Sequence, residues 1–139
     1  MTNDSQQRSF RLDAETHAEA EAPLIGIVDD DESIRNSISS LVRSAGFKAA
    51  VFPSAEAFLC SEYIQDTECL ILDVQLPGWS GLDLQRQLAG TMCSIPIIFA
   101  TAYGDDDVRT RALEQGAVTF LRKPFDDEVL LAAIHSALR

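Results

Sequence analysis

The residues best suited to chemistry are carboxylates that follow two short apolar runs. Asp29 and Asp30 come directly after residues 24–28, and Asp73 follows residues 69–72. Two carboxylates about 5 Å apart repel each other by about 3 kcal/mol at an effective dielectric of about 20, so a cluster of them calls for a cation. Mg²⁺ fits this need because it binds a few carboxylates and keeps its remaining waters.

A helix N-terminus is the competing explanation for acids after a strand, because the helix macrodipole favours negative charge there. It accounts well for Asp31 and Glu32, and it also fits the three acids at residues 105–107. It accounts poorly for Asp73, which is followed by Val-Gln-Leu-Pro before any helical pattern begins. A chemical role is therefore the better explanation for Asp73.

Two further positions carry side chains that suit an anionic ligand. Lys123 precedes Pro124, whose ring favours an extended preceding residue, and its ammonium can pair with a phosphoryl oxygen and an acid together. A solvated lysine is the alternative. Thr101 offers a hydroxyl at the end of an apolar run, although a threonine satisfied by its own strand end is an equally good explanation for this residue alone.

Five short apolar runs alternate with amphipathic stretches along residues 23–139. The runs are residues 24–28, 47–52, 69–72, 96–100 and 117–121. This alternation predicts an α/β fold, a parallel sheet with helices on both faces and right-handed crossovers. Ligands of such sheets bind outside the carboxyl ends of the strands, which would gather the candidate residues at one edge.

Composition excludes several other classes of protein. The 139 residues suit one globular domain, and 22 acids against 11 Lys and Arg give a net charge of −11. That charge disfavours nucleic-acid binding and docking on anionic lipid. No apolar run approaches the ~20 residues of a membrane span, and we expect a cytoplasmic location. Cysteines 60, 69 and 93 lack CxxC spacing, so we expect buried apolar thiols.

Residues 1–22 differ from the rest of the chain. They contain five acids, two arginines and few large apolar residues, so they cannot bury enough surface to order themselves. The Ala- and Glu-rich residues 13–22 leave a nascent helix as the alternative. We expect a flexible acidic tail at residues 1–22 and a folded domain at residues 23–139.

Four motifs in order resemble those of a known family. They are IVDDD at residues 27–31, LDVQLPGWSG at 72–81, TA at 101–102 and KPF at 123–125. Together they resemble the response-regulator receiver domain of two-component signalling, over residues 23–139. Residues 54–59 and 116–120 are most similar to the nitrogen-fixation-type regulators. The resemblance implies a flavodoxin-like, doubly wound five-stranded sheet in the order 2-1-3-4-5.

The resemblance also implies a role for each acid. Asp73 would be the phosphoacceptor. Asp30, Asp73 and the backbone carbonyl of Gln75 would bind Mg²⁺ directly, and Asp29 would act largely through a water. The domain would then be a switch with Mg²⁺-dependent self-phosphorylation and self-dephosphorylation, and not an enzyme acting on a separate substrate.

The remaining implied roles concern the response to phosphorylation. Thr101 and Lys123 would contact the phosphoryl group, and Phe120 would turn into the space that Thr101 vacates. The face formed by the fourth helix, fifth strand and fifth helix would change as a result. Trp79 is an unusual residue for its loop, either a packing variant or a partner contact, and Gln75 and Tyr103 would tune hydrolysis of the acyl phosphate.

The implied partners are a sensor histidine kinase or phosphotransfer protein, a downstream protein, and a second copy through that face on phosphorylation. The domain alone would bind no nucleic acid and no membrane. Two alternatives stay open. One is the receiver half of a longer DNA-binding transcription regulator, and the other is a degenerate receiver that binds partners without phosphorylation.

Overall fold

The computed structural model describes residues 22–91, 94–102 and 104–138. Its strands are β1 (Leu24–Val28), β2 (Lys48–Phe52), β3 (Thr67–Leu72), β4 (Ile97–Thr101) and β5 (Thr119–Arg122). Its helices are α1 (Glu32–Ser44), α2 (Ala55–Leu59), α3 (Gly81–Ala89), α4 (Asp106–Glu114) and α5 (Asp127–Ala137). The predicted alternation is confirmed. The predicted tail lies outside the described residues apart from Ala22, as do Cys93 and Tyr103.

The strands form one parallel sheet in the order β2-β1-β3-β4-β5, and each neighbouring pair is parallel. The predicted order 2-1-3-4-5 is confirmed. After β1 the chain moves to β2 on one side and later returns to β3 on the other. The strand order therefore reverses beside β1, which creates a crevice at the carboxyl ends of β1 and β3.

Each face of the sheet carries its own hydrophobic core. One core joins alternate residues of the central strands, such as Ile25 and Ile27, to α1 and α5 through Val42 and Ile134. The opposite core joins Leu70 and residues near it to α2, α3 and α4. Burial on both faces explains why the central strands are continuous apolar runs. No helix in the described ranges has the length and apolarity needed to cross a membrane.

Side-chain caps fix where the helices next to the strand ends begin. Asp31 caps α1 by accepting hydrogen bonds from the backbone N–H of Ser33 at 2.9 Å and of Ile34 at 3.2 Å. The Ile34 bond, followed by the Ser33 hydroxyl, lowers the pKa of Asp31. Asp105 caps α4 in the same way, through the N–H of Val108 at 3.0 Å. The helix-terminus explanation for these two acids is confirmed.

The cysteines agree with their expectation at one position and differ at another. Cys69 is a free thiol in the core, and burial raises its pKa to about 12. The expectation of a buried thiol is wrong for Cys60, which is exposed. Cys60 is the C-cap of α2, and the buried side of that short helix is formed by Ala55 and Phe58.

Helix α3 begins unusually close to the end of β3. The N–H of Gly81 donates to the carbonyl of Val74 at 2.8 Å. A Cβ on Gly81 would lie 2.2 Å from the carbonyl oxygen of Asp73 and 3.0 Å from its carbonyl carbon. Because these neighbours are backbone atoms, they cannot move aside without shifting the strand end, so only glycine allows this approach.

We therefore expect Gly81→Ala to destabilise the domain by about 1–3 kcal/mol, the usual cost of overpacking. Gly90→Ala is the matched control, since Gly90 closes the same helix and a Cβ there would meet its nearest atom at an ordinary 3.6 Å. Urea unfolding of both variants measures the difference. Equal stability of the two would contradict the assigned close contact at Gly81.

Candidate functional site

Three carboxylates meet at the carboxyl ends of β1 and β3. Asp29, Asp30 and Asp73 each offer one oxygen, and these oxygens all lie within 4.8 Å of one another. Asp29 and Asp73 are buried, whereas Asp30 is exposed. The strand ladder itself sets this arrangement, because the N–H of Asp73 donates to the carbonyl of Val28 at 3.0 Å. The structure thus brings the three predicted acids together.

The ammonium of Lys123 lies against two of these acids. Its Nζ is 2.7 Å from Oδ2 of Asp29 and 3.5 Å from Oδ2 of Asp73. The backbone N–H of Lys123 donates to the carbonyl of Thr101 at 2.9 Å, which continues the pairing of β4 with β5. The peptide bond from Lys123 to Pro124 is cis. One positive charge therefore offsets part of the repulsion among the acids.

The surroundings of Asp73 disfavour its negative charge. Burial raises its pKa above the ordinary value, and the negative charge of Asp29 acts in the same direction. A hydrogen bond with the side chain of Thr101, the charge of Lys123 and a hydrogen bond from Gln75 oppose this rise. The N–H of Gln75 lies 3.1 Å from Oδ1 of Asp73. The pocket therefore disfavours an uncompensated carboxylate at Asp73 while fixing its orientation.

The donor set of this pocket suits a hard divalent cation. Carboxylate oxygens are the ligands that Mg²⁺ and Ca²⁺ prefer, and their spacing here is short enough for one ion to reach all three residues. Histidine and cysteine, the usual ligands of zinc, are absent from this group of residues. The residues present therefore fit the ion that the sequence predicted.

Phe120 and the segment after Thr101 form the neighbouring side of the site. Phe120 is buried, and its ring centroid lies 6.0 Å from that of Phe99. Gly104 packs so closely that a Cβ there would lie 2.6 Å from Cζ of Phe120 and 3.4 Å from Cγ2 of Thr101. The ring is thus already inside in this structure, and its predicted movement on activation stays a prediction.

Several contacts around the site carry no motif in the sequence. Nη1 of Arg35 donates to the carbonyl of Asp29 at 2.8 Å. Arg122 donates from Nε to the carbonyl of Gly104 and from Nη2 to Asp106, both at 3.1 Å. The sequence feature that could have predicted the Arg35 contact is its position in the first turn of α1, which follows the end of β1 directly. For Arg122 the adjacent Lys123 marks the strand end but does not predict the contact.

A doubly wound α/β sheet with acids, a hydroxyl and a lysine at its switch point defines a class of small domains with a flavodoxin-like fold. The family model of the response regulator receiver domain matches residues 25–135. The chain belongs to this family.

Curated relatives support the same assignment. Nodulation protein W of Bradyrhizobium diazoefficiens is 47% identical over 122 residues, which are 87% of this chain and 54% of that protein. Response regulator protein TmoT of Ectopseudomonas mendocina is 46% identical over 123 residues, or 88% of this chain and 56% of that protein. Transcriptional regulatory protein FixJ of Bradyrhizobium diazoefficiens is 38% identical over 115 residues, or 83% of this chain and 56% of that protein, in agreement with the predicted subfamily. The chain spans about half the length of these relatives.

Solved structures confirm the fold. The response regulator StyR superposes with a TM-score of 0.78 at 44% identity, over 84% of this chain and 59% of that one. The crystal structure titled FixJ-N superposes with a TM-score of 0.76 at 36% identity, over 85% of this chain and 94% of that one. The fold and the family expected from the sequence are therefore both confirmed.

The raised pKa of Asp73 gives a test of the pocket's electrostatics. In metal-free buffer near neutral pH, Asp73→Asn is expected to raise the melting temperature by a few degrees, because it removes a carboxylate that burial disfavours. As the pH falls through the raised folded pKa, protonation of Asp73 stabilises the wild-type domain, so the difference should narrow. Circular dichroism melts over a pH series measure this, with Asp107→Asn on the exposed first turn of α4 as control. A lower melting temperature for Asp73→Asn at neutral pH would contradict the assignment.

Proposed function

We propose that this domain is a phosphoacceptor switch that takes a phosphoryl group from a histidine kinase or phosphotransfer protein onto Asp73. The observation that carries the proposal is the setting of Asp73, which is buried, bonded to Thr101 and faced by Lys123. Membership of the receiver family supports it, since response regulators work with kinases and downstream effectors.

The transfer is a displacement at phosphorus. A carboxylate oxygen of Asp73 forms the new O–P bond, the P–N bond of a phosphohistidine breaks, and the imidazole leaves with the electron pair and takes a proton from solvent. Such transfers depend mainly on positioning and charge neutralisation. Lys123 and the hydroxyl of Thr101 lie beside the acceptor and would bind phosphoryl oxygens as they approach.

A magnesium ion would be held by Asp29, Asp30, Asp73 and the backbone carbonyl of Gln75. The spacing of the three acids supports this ligand set. When bound, the ion neutralises negative charge on the phosphoryl oxygens and on the acids. Without a cation, the approach of a phosphoryl group to these acids would be repulsive.

The response would pass from Thr101 and Phe120 to the surface formed by α4, β5 and α5. The packing of Gly104 on Phe120 supports this route, because it places the segment after Thr101 directly on the ring. We also propose that the domain forms a homodimer through this surface and acts on a downstream protein partner. We expect it to be located in the cytoplasm.

One observation also favours the receiver half of a longer transcription regulator. This chain covers only 54% to 56% of relatives such as Nodulation protein W and FixJ, and FixJ is described as a transcriptional regulatory protein. A degenerate receiver has less support, since the three acids and Lys123 of the predicted pocket are all present and lie close together.

Incubation of the wild-type domain with phosphoramidate or acetyl phosphate and Mg²⁺ should add the mass of one phosphoryl group. Asp73→Asn removes the nucleophile and should abolish the gain, whereas Asp107→Asn should behave as wild type. Chelation of Mg²⁺ with EDTA should slow labelling at least tenfold. Intact-mass spectrometry measures all three arms. Labelling of Asp73→Asn at the wild-type rate would overturn the proposal.

A further inference from the structure

We propose that Glu56 is a positioning residue that holds the loop after Asp73 in its metal-binding shape. This acceptor loop comprises residues 74–80. The inference rests on the proposed function, because it concerns the loop that carries the Gln75 carbonyl. It assigns a task to a residue on α2, a helix that contributes no group to the pocket itself.

Glu56 touches the backbone of the acceptor loop at two successive residues. Its Oε2 accepts a hydrogen bond from the N–H of Trp79 at 3.2 Å, across 23 positions of sequence. Gly78 has a φ of +74°, and a Cβ there would lie 2.4 Å from the same oxygen. The carboxylate therefore lies against the backbone of Gly78, where the left-handed φ favours glycine.

Helix α2 presents Glu56 to the loop from a fixed base. Ser54 caps the helix by accepting a hydrogen bond from the N–H of Ala57 at 3.1 Å. Ala55 and Phe58, on either side of Glu56 in sequence, are fully buried in the core. Glu56 itself is exposed, so its side chain leaves the helix at the surface and bends over the loop. Core packing thus fixes the backbone from which the carboxylate reaches.

The other ties on the acceptor loop are local. The N–H of Gln75 bonds to Asp73, and Ser80 and Asp83 form a capping box at the start of α3. Among the hydrogen bonds given for the described residues, the bond from Trp79 to Glu56 joins this loop to a part of the chain outside residues 67–89. It therefore ties the loop at Trp79, directly before Ser80, to a helix outside this segment.

Loss of this tie would weaken cation binding without removing a ligand. A looser loop must be ordered when its carbonyl binds the ion, and that ordering opposes binding. Saturating ion should restore the order, so the half-saturation point should change more than the maximal rate of phosphorylation. Loss of the negative charge of Glu56 could also change Mg²⁺ affinity. Glu56→Gln removes the charge but keeps a hydrogen-bond acceptor, so it separates the effect of the charge from the effect of the hydrogen bond.

The test compares Glu56→Ala, Glu56→Gln and the control Glu62→Ala, an exposed acid beyond the end of α2. Calorimetric titration with Mg²⁺ should show about fivefold weaker binding for Glu56→Ala, in keeping with one net hydrogen bond. Glu56→Gln keeps an acceptor for the Trp79 N–H and should stay within about twofold of wild type. Glu62→Ala should match wild type in Mg²⁺ affinity, and all three variants should unfold in one cooperative transition in metal-free buffer.

Hydrogen exchange in metal-free buffer supplies a readout independent of the ion. The Trp79 amide should be protected in wild type and in Glu56→Gln, and should lose protection in Glu56→Ala. Equal Mg²⁺ affinity for Glu56→Ala and wild type would overturn the inference while Asp73 phosphorylation stands. A wild-type domain that takes up neither Mg²⁺ nor a phosphoryl group would instead overturn the proposed function. Rapid exchange of the Trp79 amide in wild type would show separately that Glu56 does not hold the loop.

Discussion

Mutual repulsion of the carboxylates at the end of β1 and β3 is the constraint on which the rest of the structure depends. Asp29, Asp30 and Asp73 bring oxygens within 4.8 Å of one another. Burial makes the cost of ionising Asp73 greater, and its raised pKa reflects that cost. The ammonium of Lys123, which lies 2.7 Å from Asp29 and 3.5 Å from Asp73, offsets part of this cost. Folding must supply the remaining free energy, and it does so through two cores that are fully formed on either face of the sheet.

The backbone, more than the side chains, holds this unfavourable cluster in place. Asp73 and Lys123 each continue a ladder beyond its last paired residue, through N–H groups bonded to Val28 and Thr101. Their Cα positions are therefore set by strand pairing and would survive the loss of any single side-chain contact. The close approach of Gly81 to the carbonyl of Asp73 extends the same logic to α3. A rigid frame of this kind can hold charges that would separate on flexible loops.

The sequence predicts the sheet and its acidic edge because both follow from local patterns. Strands buried on two faces read as continuous apolar runs, and an acid such as Asp73 that ends one of them stands out from a helix cap such as Asp31. The hydrogen bond from Trp79 to Glu56 has no such pattern, because it depends on the orientation of α2 against the core and on the left-handed φ of Gly78. Exposure of Cys60 depends on the same orientation. Local patterns do not encode the relative orientation of two elements, so these features required the structure.

The pocket and the surface formed by α4, β5 and α5 are joined by contacts among Thr101, Gly104 and Phe120. A change in one therefore alters the contacts of the other. Thr101 bonds to Asp73 on one side, while its methyl carbon lies next to the position that a Cβ on Gly104 would take. Gly104 in turn presses on Phe120, and its carbonyl is held by Arg122, the residue before Lys123. Under the proposed function, a hydroxyl that turned from Asp73 toward a phosphoryl oxygen would change the contacts of this segment. Because Phe120 lies in β5 and Lys123 directly follows that strand, a shift of either residue would change the contacts at the same strand end.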